Sequence, residues 1–263
     1  SPFDYIGYGI AQPGPLQSSY GGVGPVNGGN AFSGGLQDNG GSLLLPGSST
    51  MVSPFGGDGG DVIVSPNDGM KIVHEYVGLD MWLTTNGGRS WADPDSGKTL
   101  PARGVNALTF DPNNANILYA GLSGFDIATS GKSGHLFKTS NALSASPVWV
   151  NIGPAADVPH EVVTIDPSDS KSVFLGTDAG IWHSADSGVT WQRMGPEAGF
   201  PNVPVYDIRI NPATKKAVAF TYGRGAYMLE GLGFQGPPAQ TPVIIRSAAN
   251  GATYLAGGLV PGS

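Results

Sequence analysis

Apolar positions in this chain fall in short alternating runs, each closed by a cluster of turn formers. Five segments share one arrangement: an apolar run, a residue before proline, a short turn and a second apolar run. They read YGGVGPVNGGNAFSGG, DVIVSPNDGMKIVHEY, ALTFDPNNANILYAGL, VVTIDPSDSKSVFLGT and IRINPATKKAVAFTYG. Their prolines are Pro25, Pro66, Pro112, Pro167 and Pro212, at steps of 41, 46, 55 and 45. Nine residues beyond each proline stand Gly34, Glu75, Gly121, Gly176 and Thr221. A fixed internal offset inside a variable outer period marks a structural repeat with loop insertions. Proline has no N–H to donate to a ladder, so it predicts the end of each first strand, and the Asn/Asp/Ser/Gly cluster behind it predicts a hairpin. A repeat of about 45 residues holding roughly four short strands has the length of a propeller blade.

Composition agrees with this pattern. There are 42 Gly and 22 Pro, 64 of 263 residues, against averages of roughly 7% and 5%. Apolar residues at 40% and 24 aromatics (10 Phe, 9 Tyr, 5 Trp) argue against disorder. No window of helical length keeps a 3.6-residue apolar period free of breakers, so the class is all-β. At 263 residues the chain is within the range of one all-β domain.

Net charge is -7, with only 13 Lys and Arg, so no basic surface is available for nucleic acid. Cysteine is absent, which excludes disulfides, thiol catalysis and thiolate zinc sites. No apolar run reaches the roughly 18 residues of a membrane-crossing helix. Starting at Ser1, the sequence reads as a mature or trimmed product.

Two copies of a tighter motif follow the second strands. Thr84-Thr85-Asn86-Gly87-Gly88-Arg89-Ser90-Trp91 and Ser184-Ala185-Asp186-Ser187-Gly188-Val189-Thr190-Trp191 match S/T-x-D/N-x-G-x-S/T-W, 18 and 17 residues after their prolines. A worn third copy runs from Thr139-Ser140-Asn141 to Trp149. The Asp or Asn is expected to cap the turn, Gly to take a positive φ and Trp to pack on the hairpin. Here the sequence resembles the Asp-box (BNR) repeat β-propellers, a family of sialidases, xyloglucanase-type glycosidases, sortilin-type receptors and secreted bacterial propellers. The resemblance covers residues 16–230. It implies an all-β propeller of four-stranded blades, with five repeats visible. It also implies that Thr84, Asn86, Gly88, Trp91, Ser184, Asp186, Gly188 and Trp191 are folding elements at the blade periphery, and that the protein is secreted or at a bacterial surface, or periplasmic.

Candidate chemistry lies elsewhere. Asp38, in GLQDNGG, and Asp58, in GGDGGD, sit in stretches similar to blade junctions of glycosidase-like and sortilin-like members. They suit a paired-carboxylate site for glycoside hydrolysis, a Ca²⁺ site, or plain turn capping. Glu75 departs from the small residue of its repeat position and is a third catalytic candidate; its alternative is a solvated strand-edge residue. In TYGRGAY (221–227), Tyr222 and Arg224 are ligand-binding candidates, because Arg224 stands where the preceding repeat has Ala179. Arg224 either clamps an anion or pairs with a carboxylate such as Asp207. His74, His135, His160 and His183 show no HxH or HExxH spacing, so no zinc site is expected. The sialidase branch is disfavoured, since its FRIP-like entry motif is missing and arginine is scarce.

The ends fall outside the repeat. Residues 1–15 read as an N-terminal extension or blade-closing strand, and 231–241 as a Gly/Pro-rich linker. Residues 242–263 begin as a strand and resemble the opening of a C-terminal domain of secreted acidobacterial proteins. The leading functional expectation is a non-catalytic interaction propeller presenting a face to a glycan or protein. One alternative is a glycoside hydrolase acting on polysaccharide through channel-facing carboxylates. Another is a surface protein that self-associates through terminal strands.

Overall fold

The computed structural model describes residues 21–26, 29–36, 38–76, 78–230 and 244–249. The calls on residues 1–15, on the linker 231–241 and on 250–263 lie outside them. Strands carry nearly all the regular structure. Two single-turn 3₁₀ segments, η1 (Asp126–Thr129) and η2 (Pro196–Ala198), are the helices among the described residues.

Strands follow one another in antiparallel hairpins. The first sheet is β1 (Gly21–Val26), β2 (Gly29–Leu36) and β3 (Gly40–Leu44); the second is β4 (Gly59–Ser65), β5 (Asp68–Tyr76) and β6 (Met81–Thr84). The third orders β7 (Val105–Asp111), β8 (Asn114–Leu122), β9 (Leu136–Thr139) and β10 (Trp149–Asn151). The fourth is β11 (His160–Asp166), β12 (Asp169–Thr177), β13 (Gly180–Ser184) and β14 (Gln192–Met194). The fifth is β15 (Val205–Asn211), β16 (Lys216–Thr221), β17 (Ala226–Glu230) and β18 (Ile244–Ala249). In the first two sheets the fourth position shrinks to single antiparallel bridges, Leu43 to Val52 and Leu83 to Ala92.

Four of the five repeat prolines directly follow a first strand: Pro66, Pro112, Pro167 and Pro212. The residue ahead of three of them caps the turn. Asp111, Asp166 and Asn211 each accept the backbone N–H two residues on, at 2.8, 2.8 and 3.0 Å. Pro25 is different: it lies inside β1, opposite Asn30, rather than past its end. That first hairpin turns one residue later, at Val26 opposite Gly29.

The chain forms two compact units, residues 1–120 with 138–150 and residues 121–137 with 151–263. In the first, Leu43, Val62, Val64 and Ile72 make a core, with Leu45 and Trp91 packed on it. Its first two sheets meet backbone to backbone. A Cβ on Gly35 would lie 2.1 Å from the Gly60 carbonyl oxygen, and one on Gly24 would lie 2.4 Å from that of Ser65. In the second unit, Phe174, Ile181, Met194, Phe200, Val205, Ile208, Ala217, Ala219, Tyr227 and Leu229 form the core. Residues 172–177 of β12 are buried without alternation.

Candidate functional site

The S/T-x-D/N motifs close on themselves. Ser184 Oγ donates to Asp186 at 2.8 Å and accepts the Gly188 N–H at 2.8 Å. Asp186 accepts the Thr190 N–H at 2.8 Å and its hydroxyl at 2.6 Å. Burial acts to raise the Asp186 pKa, but these donors outweigh it and hold the carboxyl below its ordinary value. The neutral copy repeats the pattern: Thr84 Oγ1 donates to Asn86 Oδ1 at 2.9 Å, which accepts the Ser90 N–H at 3.0 Å. In the worn copy Asn141 Oδ1 accepts from Thr139 Oγ1 at 2.9 Å and, across the insertion, from the Val148 N–H at 2.8 Å. Two of the tryptophans also donate to a distant carbonyl, Trp149 Nε1 to Pro94 at 2.8 Å and Trp191 Nε1 to Ile152 at 2.5 Å. Trp91 Nε1 is buried without such a partner.

Two of the carboxylates singled out from sequence, Asp58 and Glu75, accept backbone N–H groups. Asp58 Oδ1 accepts the N–H of Asp38, 2.8 Å away, and Asp38 sits at φ 62°, a strained value for a residue with a side chain. Glu75 is buried, not a solvated edge residue: β5 is the middle strand of its sheet, and the carboxyl lies against the bare Cα of Gly60. Burial pushes its pKa up to about 9, the Asp61 N–H works against this and the Asp61 charge adds to it. Asp61 itself accepts the Val62 and Leu108 N–H groups at 2.8 and 3.1 Å. Glu75 is therefore neutral near pH 7 and enclosed.

The second unit brings a different group together. Glu161 at the start of β11, Asp178 in the β12–β13 turn, Tyr206 at the start of β15 and Tyr222 in the β16–β17 turn lie at the same end of sheets four and five. Antiparallel pairing sets this: His160 faces Thr177 and Val205 faces Thr221. The Tyr206 and Tyr222 rings meet edge to face, 6.0 Å between centroids, while 40% and 71% exposed. Asp178 and Glu161 share a side-chain hydrogen bond; burial raises the Asp178 pKa and that bond lowers it. The Tyr206 pKa is raised by burial first, then by Glu161, Asp178 and Tyr222. Of these four residues sequence reasoning found only Tyr222. Arg224 is exposed in the same turn, and Asp207 pairs with Arg209 at 2.8 Å instead.

Three groups in the second unit also have metal-ligand spacing, Asp126, His135 and Asp157. Sequence spacing hid them, because Asp126 and His135 stand apart within the β8–β9 connection and Asp157 comes from the β10–β11 connection.

Solved structures match this arrangement of sheets. An ancestral GH74 enzyme aligns at TM-score 0.58 and 21% identity over 82% of this chain and 30% of its own. The fold is a β-propeller. The GH74 xyloglucanase from Xanthomonas campestris matches this propeller at TM-score 0.58 and 16% identity, over 81% of this chain and 36% of that one. The Cps50 (Swd1) β-propeller domain of Myceliophteria thermophila matches at 0.56 and 10%, over 82% and 67%. The chain thus spans about a third of the GH74 enzymes. No protein-family model matches it, and no curated protein sequence does. Among the described residues no helix is long and apolar enough to cross a membrane.

Proposed function

We propose that this chain is the glycan-binding, non-catalytic part of an Asp-box-type propeller, and that Tyr206 and Tyr222 form its sugar platform. The observation that carries the reading is the exposed perpendicular tyrosine pair beside the Glu161–Asp178 carboxyls. Aromatic faces stack on the C–H faces of pyranose rings, and adjacent carboxyl oxygens accept sugar hydroxyls. Arg224 in the same turn adds a donor. A glycan ligand suits a secreted or surface-exposed protein.

Hydrolysis is the second reading, favoured by the likeness to GH74 enzymes. The carboxyls argue against it. Retaining and inverting mechanisms need carboxyl groups about 5–10 Å apart across the scissile bond, whereas Glu161 and Asp178 touch. Asp58 is engaged by the Asp38 backbone, and Glu75 is enclosed.

Soluble xyloglucan is the probe, in affinity electrophoresis with a parallel assay for released reducing ends. Retardation of the wild-type chain, lost in Tyr206→Ala and Tyr222→Ala and without reducing-end release, is the expected result. Retardation unchanged in both variants removes the platform, and reducing-end release abolished by Asp58→Asn establishes the hydrolytic reading.

A further inference from the structure

Among the described connections between the second and third strands of a sheet, β8–β9 is the long one. Residues 123–135 intervene there, where only Asp178 and Ala179 separate β12 from β13. A long excursion needs ties to hold one conformation, because ordering each residue costs roughly 1–2 kcal/mol. Its root carries an unusual group. His135, with a side chain only 1% exposed, places Nε2 2.9 Å from Asp157 Oδ1 and 3.5 Å from Asp126 Oδ1. The three donor atoms all lie within 4.8 Å of one another. Asp126 is half-buried and Asp157 exposed, which leaves the group open to solvent on one side.

The opposite side of the ring decides what this group suits. His135 Nδ1 is 3.4 Å from the Leu122 carbonyl oxygen, so acceptors stand at both ring nitrogens. A neutral imidazole that gives its one N–H to that carbonyl turns the Nε2 lone pair toward two carboxylate oxygens. Three Lewis-basic atoms then lie within 4.8 Å of one another. Imidazole nitrogen and carboxylate oxygen bind a divalent transition metal at about 2.0–2.2 Å, which separates neighbouring donors by roughly 2.9–3.5 Å in octahedral or tetrahedral geometry. The observed 2.9 and 3.5 Å fit that edge.

The surroundings supply the outer hydrogen bonds such a site uses. A ligating histidine ordinarily donates its second ring nitrogen to a carbonyl, and ligating carboxylates are themselves hydrogen-bonded. Here Asp126 Oδ1 accepts the Gly134 N–H at 2.9 Å, and Asp157 Oδ1 accepts the Asp126 N–H at 2.8 Å. The His160 ring packs on His135 with centroids 5.3 Å apart, fixing its plane.

We propose that Asp126, His135 and Asp157 bind one divalent transition-metal ion, Zn²⁺ by ligand type, which pins the 123–135 loop to the segment carrying Asp157. One nitrogen and two carboxylate oxygens without a thiolate suit Zn²⁺ or Mn²⁺ over Cu⁺. Three protein ligands leave a coordination position for water.

The test uses the tag-free full chain, stripped with EDTA and titrated with Zn²⁺ by calorimetry, with Co²⁺ absorption as a second readout. One equivalent is expected to bind, to raise Tm and to give a Co²⁺ visible spectrum. Asp157→Asn and Asp126→Asn, which keep side-chain shape, are each expected to weaken binding at least tenfold while their metal-free Tm stays near wild type. No stoichiometric binding by the folded chain overturns the proposal, as does affinity unchanged in both variants. An NMR spectrum showing His135 protonated at both nitrogens, with Zn²⁺ failing to displace the proton, identifies a buried ion pair instead and also overturns it.

Discussion

Single residues repeat their task across copies even where the sequence has drifted. Asp186, Asn86 and Asn141 each present Oδ1 to a hydroxyl two residues back and to an N–H further on. An amide does the acceptor work of the carboxylate, and the inserted residues before Val148 leave the contact unbroken. Asp186→Ala should lower stability by about 1–2 kcal/mol, from the lost hydrogen bonds and turn cap, and Asp186→Asn by clearly less; urea denaturation of both variants measures this. These roles were legible because motif residues bond locally. Glu75 was not legible. Its neighbours on the strand say only that it departs from the repeat, and its burial depends on Gly60, which pairing brings close from another strand.

Hairpins are the next scale. Proline and Asx-turn chemistry located four of the first-strand ends, because both act within three residues. The first repeat escaped that rule, with Pro25 inside β1. Excess glycine in residues 21–69 has a cause visible only between elements: the first two sheets approach so closely that side chains have no room. Gly35→Ala, whose Cβ would meet the Gly60 carbonyl oxygen at 2.1 Å, should destabilise by about 2–3 kcal/mol, checked by Tm and the urea midpoint. The hairpin tryptophans also act between elements. Trp191→Phe keeps an aromatic ring but removes the Nε1 donor to Ile152 and part of the packed area, and should cost at least about 1 kcal/mol; calorimetric Tm compared with Trp191→Leu measures what the remaining aromatic packing contributes.

Over the whole molecule, buried titratable groups shape the response to pH. Burial lowers His74 from 6.5 to about 3 and His183 to about 4, so between those values and 6.5 the unfolded chain binds more protons and stability rises with pH. Glu75 acts oppositely: raised from 4.5 to about 9, it keeps its proton in the folded chain, and stability falls as pH climbs between those values. Below 6.5 two histidines oppose one glutamate; above it the glutamate acts alone. Stability should therefore peak near pH 6.5 and decline toward 9, and Glu75→Gln should flatten the alkaline limb and steepen the acid limb between 4.5 and 6.5. Urea midpoints from pH 4 to pH 9 check both limbs.

The sequence by itself determined the repeat, the strand-turn chemistry and the propeller class, because alternation, proline and Asx turns act over a few residues. It also singled out the 221–227 stretch, with Arg224 as a break in the repeat and Tyr222 beside it. Tertiary structure decided which residues meet. The Tyr206–Tyr222 pair with Glu161 and Asp178 arises from antiparallel register across two sheets, and Asp157 meets Asp126 and His135 from a different connection of the chain. Glu75 became a neutral buried acid because Gly60 lies against it. Those outcomes depend on distances between segments far apart in the chain, and no local pattern encodes them.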